Sequence, residues 1–508
     1  VLLILDGIDV SHSKKLYFLL GIKFIFLLLI AYFGALCLAP DEAQYWTWSQ
    51  APSLGYYSKP PAISWQIYLS THLLGNSELG VRFGAFVIGL GLIYLVYRLS
   101  KAAGLDEKSA FWAAFVMAIS PFGFYLSFAA TTDAGAVLFL MAALTCIVSR
   151  IEKEPGPNYL AVGTFVALGA LYKWTAFILW PILFCFLPFY PNLRKRSLWL
   201  GILLSMVAFL PVVYWNMQHD WATFRHVSKT LVGDRGASGG NFFDFFGAQL
   251  ALFSPIFAIL LVYGVVKSDK KRALYFLAAF PVALVLLLLL SFFKKMQPNW
   301  ALYLYCPTAV FIGWALAHLK HHKRKIVTLA TFLSLGGIVG ALLIPLVQRE
   351  ALLERVALSY KINPFRQNMG TNHLKMGLES IGFDPNQDFL FADKYQNSSL
   401  LSFYSPQKQR AYFMNLGRAR KNQFSYWPQM HEQVVGKTGY FVVIENKTSE
   451  QLAGHKKYYL NKLQPHFEKV EFAKEIPLFC AYGTSEKNAL FFKCTGYLGT
   501  CIEDVNKY

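Results

Sequence analysis

Residues 16–39, LYFLLGIKFIFLLLIAYFGALCLA, run directly into residues 40–65, PDEAQYWTWSQAPSLGYYSKPPAISW, and this junction decides how the rest of the chain is read. An apolar run of that length can cross a bilayer, whose hydrocarbon core needs about 20 helical residues. It is longer than the apolar core of a signal peptide and carries no small-residue cleavage site, so it reads as a retained helix. The polar stretch after it sets Asp41, Glu42 and Lys59 among Tyr45, Trp46, Trp48, Tyr56, Tyr57 and Trp65. Rings with a polar tip suit a loop packed at headgroup depth. A bland aromatic belt does not need two adjacent carboxylates and a Lys-Pro-Pro, so this is where chemistry is expected.

The whole chain supports a membrane reading. Of its 508 residues 55% are hydrophobic, 17% aromatic and only 15% charged, more apolar surface than a soluble core hides. Further candidate spans run at 80–98, 110–130, 134–150, 158–174, 175–192, 197–215, 246–266, 273–293, 301–319 and 326–347, giving a polytopic α-helical membrane protein of about eleven transmembrane helices. The break near Lys173 leaves open whether two short spans or one bent span lie there. The net charge of +19 falls mostly in short loops and not on one amphipathic face, which points to membrane lipids and away from nucleic acid as partners. Lys14-Lys15, Arg98 with Lys101, Arg150 with Lys153, Arg194 to Arg196, Lys267 to Arg272 and Lys320 to Lys325 occupy every second loop. By the positive-inside rule these loops and the N-terminus are cytoplasmic, and segments 40–79, 131–133, 216–245, 294–300 and everything after 348 are outside. His321 and His322 sit inside one of the basic runs and read as headgroup anchors, not metal ligands.

Composition shifts near 348, dividing the chain into a membrane domain, 1–347, with 40–79 as its first outer loop, and a soluble domain, 348–508. Phe389–Asp393, Arg410–Leu416 and Gly439–Ile444 read as strands, Asn397–Tyr404 and Thr448–Leu463 as helices. That alternation predicts a small α/β unit with a parallel sheet. Ligands in such a sheet collect at the carboxyl ends of strands, here Asp393 to Gln396, Asn415 to Arg420 and Glu445. Of seven cysteines, Cys37, Cys146, Cys185 and Cys306 lie in or beside apolar runs and read as packing residues. Cys480, Cys494 and Cys501 permit one disulfide in an oxidising compartment.

Other outer segments carry matching groups. Asp133 opens a span after Thr131-Thr132, Lys173 lies between Tyr172 and Trp174, and Lys294, Lys295, Gln297, Asn299 and Trp300 form a short outer loop. Alone, each has an ordinary use: a carboxylate at a helix N-terminus opposes the dipole, and a lysine at a span end snorkels. Together they put carboxylates, cations and rings on one membrane face, as a site for an anionic lipid and a sugar requires. No zinc-type His/Cys spacing occurs in the outer segments; His219 and His226 read as solvated.

The pattern Asp41-Glu42 after the first span, Gly55-Tyr56-Tyr57-Ser58-Lys59-Pro60-Pro61 with Trp65, and Thr132-Asp133 opening a later span resembles the polyprenyl-phosphate-sugar glycosyltransferases of the GT-C superfamily, nearest to the ArnT-like enzymes and the protein O-mannosyltransferases. Gln44-Tyr45-Trp46, Gln297-Pro298-Asn299-Trp300 and Asp393-Lys394-Tyr395-Gln396 look like the branch that adds sugars such as galacturonic acid to lipid A or its core. The resemblance implies an inverting transfer from a polyprenyl-phosphate-linked sugar donor to lipid A, lipopolysaccharide core or a related glycolipid, at the periplasmic face of a bacterial inner membrane. It implies Asp41 as acceptor base, Glu42 and Asp133 in support, and Lys59, with Lys173 second, at the carrier phosphate. Gln44, Tyr45, Tyr56, Tyr57, Asn299, Trp300, Asp393, Tyr395 and Gln396 become candidate substrate contacts. A divalent cation, Mg or Mn, stays open with Asp41, Glu42 and Asp133 as its ligands; no nucleotide or redox cofactor is expected. The aminoarabinose branch resembles Asp-Glu-x-Arg where this chain has Gln44, which argues against that sugar. A protein O-glycosyltransferase keeps the chemistry and changes the acceptor. A transporter or flippase fits less well, because its charges belong at mid-membrane.

Overall fold

The computed structural model describes residues 11–33, 36–232, 239–269, 271–320, 327, 359–361, 363, 365–417 and 419–502. The expected span at 326–347, the 347/348 boundary and His321-His322 lie outside them.

The first apolar run forms helix His12–Tyr32. The expected first outer loop is not open chain: it folds into helices Pro40–Ser49 and Ala62–Leu74. Pro40 starts the first of these where its missing N–H costs nothing, and Asp41 and Glu42 fill the first turn, where carboxylates oppose the helix dipole. Among the described residues five helices are long and apolar enough to cross a membrane, or up to seven if each of two bent pairs is one span. The bent pairs are Glu107–Ile119 with Pro121–Phe128, at 67°, and Phe242–Phe253 with Pro255–Lys267, at 83°. Both break just before a proline, which cannot donate the next helical hydrogen bond. These breaks, and apolar helices as short as Thr132–Val148 and Tyr159–Tyr172, set the described number apart from the composition-based figure of about eleven, which also includes the span at 326–347 outside the described residues. At Lys173 the backbone becomes extended (φ −160°, ψ 131°), separating Tyr159–Tyr172 from the 3-10 turn Trp174–Ile178 and helix Leu179–Phe186.

The C-terminal sheet has strands β1 Phe389–Ala392, β2 Tyr412–Phe413, β3 Gly439–Glu445, β4 Phe467–Ala481 and β5 Thr484–Tyr497, in the order β2-β1-β3-β5-β4. The first three are parallel, as the α/β pattern predicts. The remaining two form a long antiparallel hairpin, so the sheet is mixed and not parallel throughout. Tyr482 (φ 53°) and Gly483 (φ 74°) make its two-residue turn, both in the left-handed region that a tight hairpin requires. Alternate residues face opposite sides. Leu390, Tyr440, Val442, Ala489 and Phe491 join a core shared with Tyr45, Trp46 and Trp48 of the membrane domain. Phe389, Phe391, Phe441, Val443, Leu490 and Phe492 face Tyr459 and Leu463 of helix Ser449–Leu463. Cys494 is buried in this second core and Cys501 is exposed, and neither forms a disulfide.

Helix Tyr395–Tyr404 seats the sheet domain on helix Pro40–Ser49, the Trp46 and Phe403 rings meeting edge to face at 4.9 Å. The Tyr404 hydroxyl donates to Glu78 Oε1 (3.1 Å) and accepts from the Leu38 amide (2.7 Å). Cys37 exchanges two hydrogen bonds with Asn368, at 2.8 and 3.0 Å. The sheet domain is therefore tied to the point where the chain leaves its first helix.

Candidate active site

Asp41 owes its position to its neighbour. Glu42 is buried, and its carboxylate accepts from Arg82 Nε (2.9 Å) and Nη2 (2.7 Å), from the Ala39 amide (2.9 Å) and from the Ala130 amide (3.0 Å). Arg82 also donates to the Leu36 and Cys37 carbonyls, at 2.8 and 2.7 Å, with its guanidinium 4.4 Å above the Phe128 ring. The expected second catalytic carboxylate is thus a tie between the exit of the first helix, helix Pro40–Ser49, helix Glu78–Ala102 and the turn leading to Asp133. Arg82 was not legible as its partner; the only signal was a lone arginine near the start of an apolar run.

With Glu42 turned inward, Asp41 is left open to solvent at the surface of a recess. Surrounding protein pushes its carboxyl above the usual range; Lys59 opposes this, and Glu42 and Asp133 add to it. Gln44 and Tyr45 follow Asp41 on the same side of the helix, three and four residues on. Tyr45 is buried and pairs with the Thr132 hydroxyl.

Lys59 rides on a stiff loop. Tyr56 stacks on Trp48 at 4.6 Å and its hydroxyl meets Ser64 Oγ (2.6 Å), so this ring is a loop staple and not an open substrate contact. Thr223 Oγ1 donates to the Tyr56 carbonyl (3.0 Å), and the Tyr57 amide donates to Gln423 Oε1 (2.8 Å). Gly55 lies against Trp215, where a Cβ would come within 2.9 Å of the indole side chain. The loop is gripped by helix Ala222–Val232 on one side and by the sheet domain on the other. Tyr57 packs beside His226 (5.0 Å) and Tyr426 (6.0 Å). His219, expected to be solvated, stacks on Trp215 at 4.0 Å.

Asp133 is buried and anchors the far wall. It accepts from Lys173 Nζ (2.6 Å), Tyr303 Oη (3.1 Å) and Asn299 Nδ2 (3.2 Å). Lys173 is committed to this pair, whereas Lys59 is in no ion pair among the described residues. Burial, and after it Lys173, hold the Lys59 ammonium below the usual lysine range against the pull of Asp133 and Asp41. Trp300 is exposed.

The sheet domain supplies the roof. Tyr395 lies near Arg420 and Gln396 and feels the charge of Asp41. Asp393 turns the other way, accepting from Tyr459 Oη (3.0 Å) on the helix Ser449–Leu463 side, so it does not join the site. Arg420 enters from the loop after β2 and lies within Coulombic reach of Lys59.

The three carboxylates do not fit a shared cation. Glu42 is saturated by Arg82 and two amides, Asp133 by Lys173, Tyr303 and Asn299, and no group of three or more metal-type ligands occurs among the described residues. No step below uses a metal.

A model of the dolichyl-phosphate-mannose-protein mannosyltransferase family matches residues 58–215. The lipid A galacturonosyltransferase RgtD of Rhizobium johnstonii is 29% identical over 316 residues, 60% of this chain and 65% of that protein's length. ArnT from Cupriavidus metallidurans superposes with TM-scores of 0.62 without ligand and 0.63 with undecaprenyl phosphate, at 12% and 11% identity, over 93% and 94% of this chain and 97% and 98% of ArnT. The chain has the ArnT-like fold. The segment matched by the family model begins inside the Lys59 loop and contains Lys59, Arg82, Asp133 and Lys173. The ArnT-like fold covers the sheet domain as well, so Tyr395 and Arg420 belong to the same architecture as the helices below them.

Proposed function

We propose that this protein is an inverting glycosyltransferase that moves a sugar from a polyprenyl-phosphate carrier to lipid A, lipopolysaccharide core or a related envelope glycolipid, at the outer face of a bacterial inner membrane. The observation that carries the reading is the pairing of an open carboxylate, Asp41, with an ammonium in no ion pair among the described residues, Lys59, in one recess. A hydroxyl is a weak nucleophile until a positioned base takes its proton, an effect of about 10²–10⁴-fold. The acceptor oxygen attacks C1 of the sugar while its proton passes to Asp41. The C1–O bond to the carrier breaks, and its electron pair stays on the phosphate. Lys59 meets that growing charge, so it stabilises the transition state more than the bound donor. Attack opposite the leaving phosphate inverts the anomeric centre. The similarity to RgtD supports a glycolipid acceptor and a uronic acid as the sugar; the mannosyltransferase family model is what favours the protein acceptor as second reading.

Mass spectrometry of lipid A and core oligosaccharide from cells with and without the protein tests this. Loss of one sugar residue is expected, and no change in any glycolipid would hand the case to a protein acceptor.

The charges also set a pH profile. Transfer needs Asp41 ionised, so the rate falls as pH drops through its pKa, which is raised. It needs Lys59 protonated, so the rate falls again as pH rises through a pKa that is lowered. The expected bell is therefore narrower than ordinary Asp and Lys values give. In Lys59→Arg the basic limb moves upward, because a guanidinium stays charged beyond pH ~12. Initial rates of purified enzyme across pH check this, and an unmoved basic limb would take Lys59 out of the step.

A further inference from the structure

Two cations stand close together in the recess, and among the described residues no carboxylate forms an ion pair with either. Arg420 comes down from the sheet domain, lies near Tyr395 and places its guanidinium carbon 5.8 Å from the Tyr57 ring centre. Its Nη1 lies 2.9 and 3.3 Å from the ring nitrogens of His226, a neutral or cationic neighbour that does not cancel its charge. Among the described residues no acid lies within ion-pair distance of it, and Lys59 is near enough for the two positive charges to oppose each other. Like charges brought together in a partly enclosed space cost stability unless a ligand spans them.

Resting on the transfer reading above, we infer that Arg420 recognises the carboxylate of an anionic donor sugar, a hexose oxidised to the acid at C6, while Lys59 holds the carrier phosphate on C1. The covalent layout of such a donor explains the arrangement. C1 and C5 flank the ring oxygen, so the phosphate on C1 and the carboxylate on C5 leave the sugar as two anions one ring-width apart. A single lysine cannot serve both. The planar guanidinium fork matches a carboxylate with two parallel hydrogen bonds, which an ammonium does not. Position argues for the sugar and against the carrier. Lys59 lies on the membrane domain, where a polyprenyl chain is held, and Arg420 lies on the roof with Tyr395, across from it. Asp41 lies within Coulombic reach of both Tyr395 and Lys59. A phosphate shares this anionic oxygen chemistry, whether on the carrier or on the acceptor, so the test separates the sources.

The full chain in detergent, wild type, Arg420→Gln and Arg420→Lys, is assayed with undecaprenyl phosphate carrying either a hexuronate or the matching neutral hexose. The expected wild type prefers the hexuronate donor. In Arg420→Gln that preference, the ratio of the two kcat/KM values, collapses by about 10- to 100-fold through the hexuronate KM, and Arg420→Lys restores part of it. Equal losses with both donors would assign Arg420 to a phosphate and overturn the inference, as would an unaltered ratio. A wild type that uses only the neutral donor overturns it while leaving the transfer reading intact. A wild type that uses no lipid-linked donor removes both.

Discussion

Asp41→Asn is expected to abolish sugar transfer, lowering kcat by about 10²–10⁴-fold, while the protein is made, folds and binds the lipid-linked donor as before. The amide matches the carboxylate in shape, but it cannot accept the acceptor's proton. Little structure is at stake, because Asp41 faces the recess and it is Glu42 that ties the helix down. Single-turnover measurement with saturating donor isolates the chemical step. A mutant that keeps near wild-type turnover would remove Asp41 from the mechanism.

Arg82→Ala is expected to give the largest loss of stability. It strips two hydrogen bonds from a fully buried Glu42, leaves the Leu36 carbonyl without its donor and leaves the Cys37 carbonyl with Asn368 alone. Breaking a buried ion pair by removing one partner costs about 3–5 kcal/mol, because the surviving charge is stranded. Activity falls too, but in step with a lowered thermal midpoint in detergent. Glu42→Gln should follow the same pattern, with a smaller drop, since it keeps one acceptor oxygen for one of the Ala39 and Ala130 amides, which bond to different oxygens of Glu42. A Glu42→Gln protein that melts like wild type yet lacks turnover would return Glu42 to the chemistry. The contrast between the adjacent acids is the informative result: one substitution costs rate without stability, the other costs both.

Asp41, Lys59, Asp133 and Lys173 were legible in the sequence because polar groups at the ends of apolar runs stand out, and the spans bring them to one face. What they touch was not. Glu42 looked like a second catalytic acid because its partner lies forty residues away on another helix, and Tyr56 looked open because its stack on Trp48 needs the turn between them. Arg420 was hidden in Arg418-Ala419-Arg420-Lys421, which reads as a solvated basic turn until the roof is assembled. In the sheet domain β1 and β3 were plain as short apolar runs. The hairpin of β4 and β5 was not, because Glu468, Lys469, Glu471, Lys474 and Glu475 mask its alternation and Pro477 interrupts it. The breaks at Pro121 and Pro255 turned continuous hydropathy into bent pairs.

The hydrogen bonds from Thr223 and Gln423 to the backbone on either side of Tyr56 and Tyr57 bear on how such proteins can be recombined. A chimera that joins these helices to a relative's outer domain inherits Asp41 on its own helix but receives the lysine loop with one of its two clamps replaced. Exchanging 53–61, 215–226 and 416–427 together keeps the loop and both clamps from one parent, and a donor-specificity swap is best built from that three-part unit.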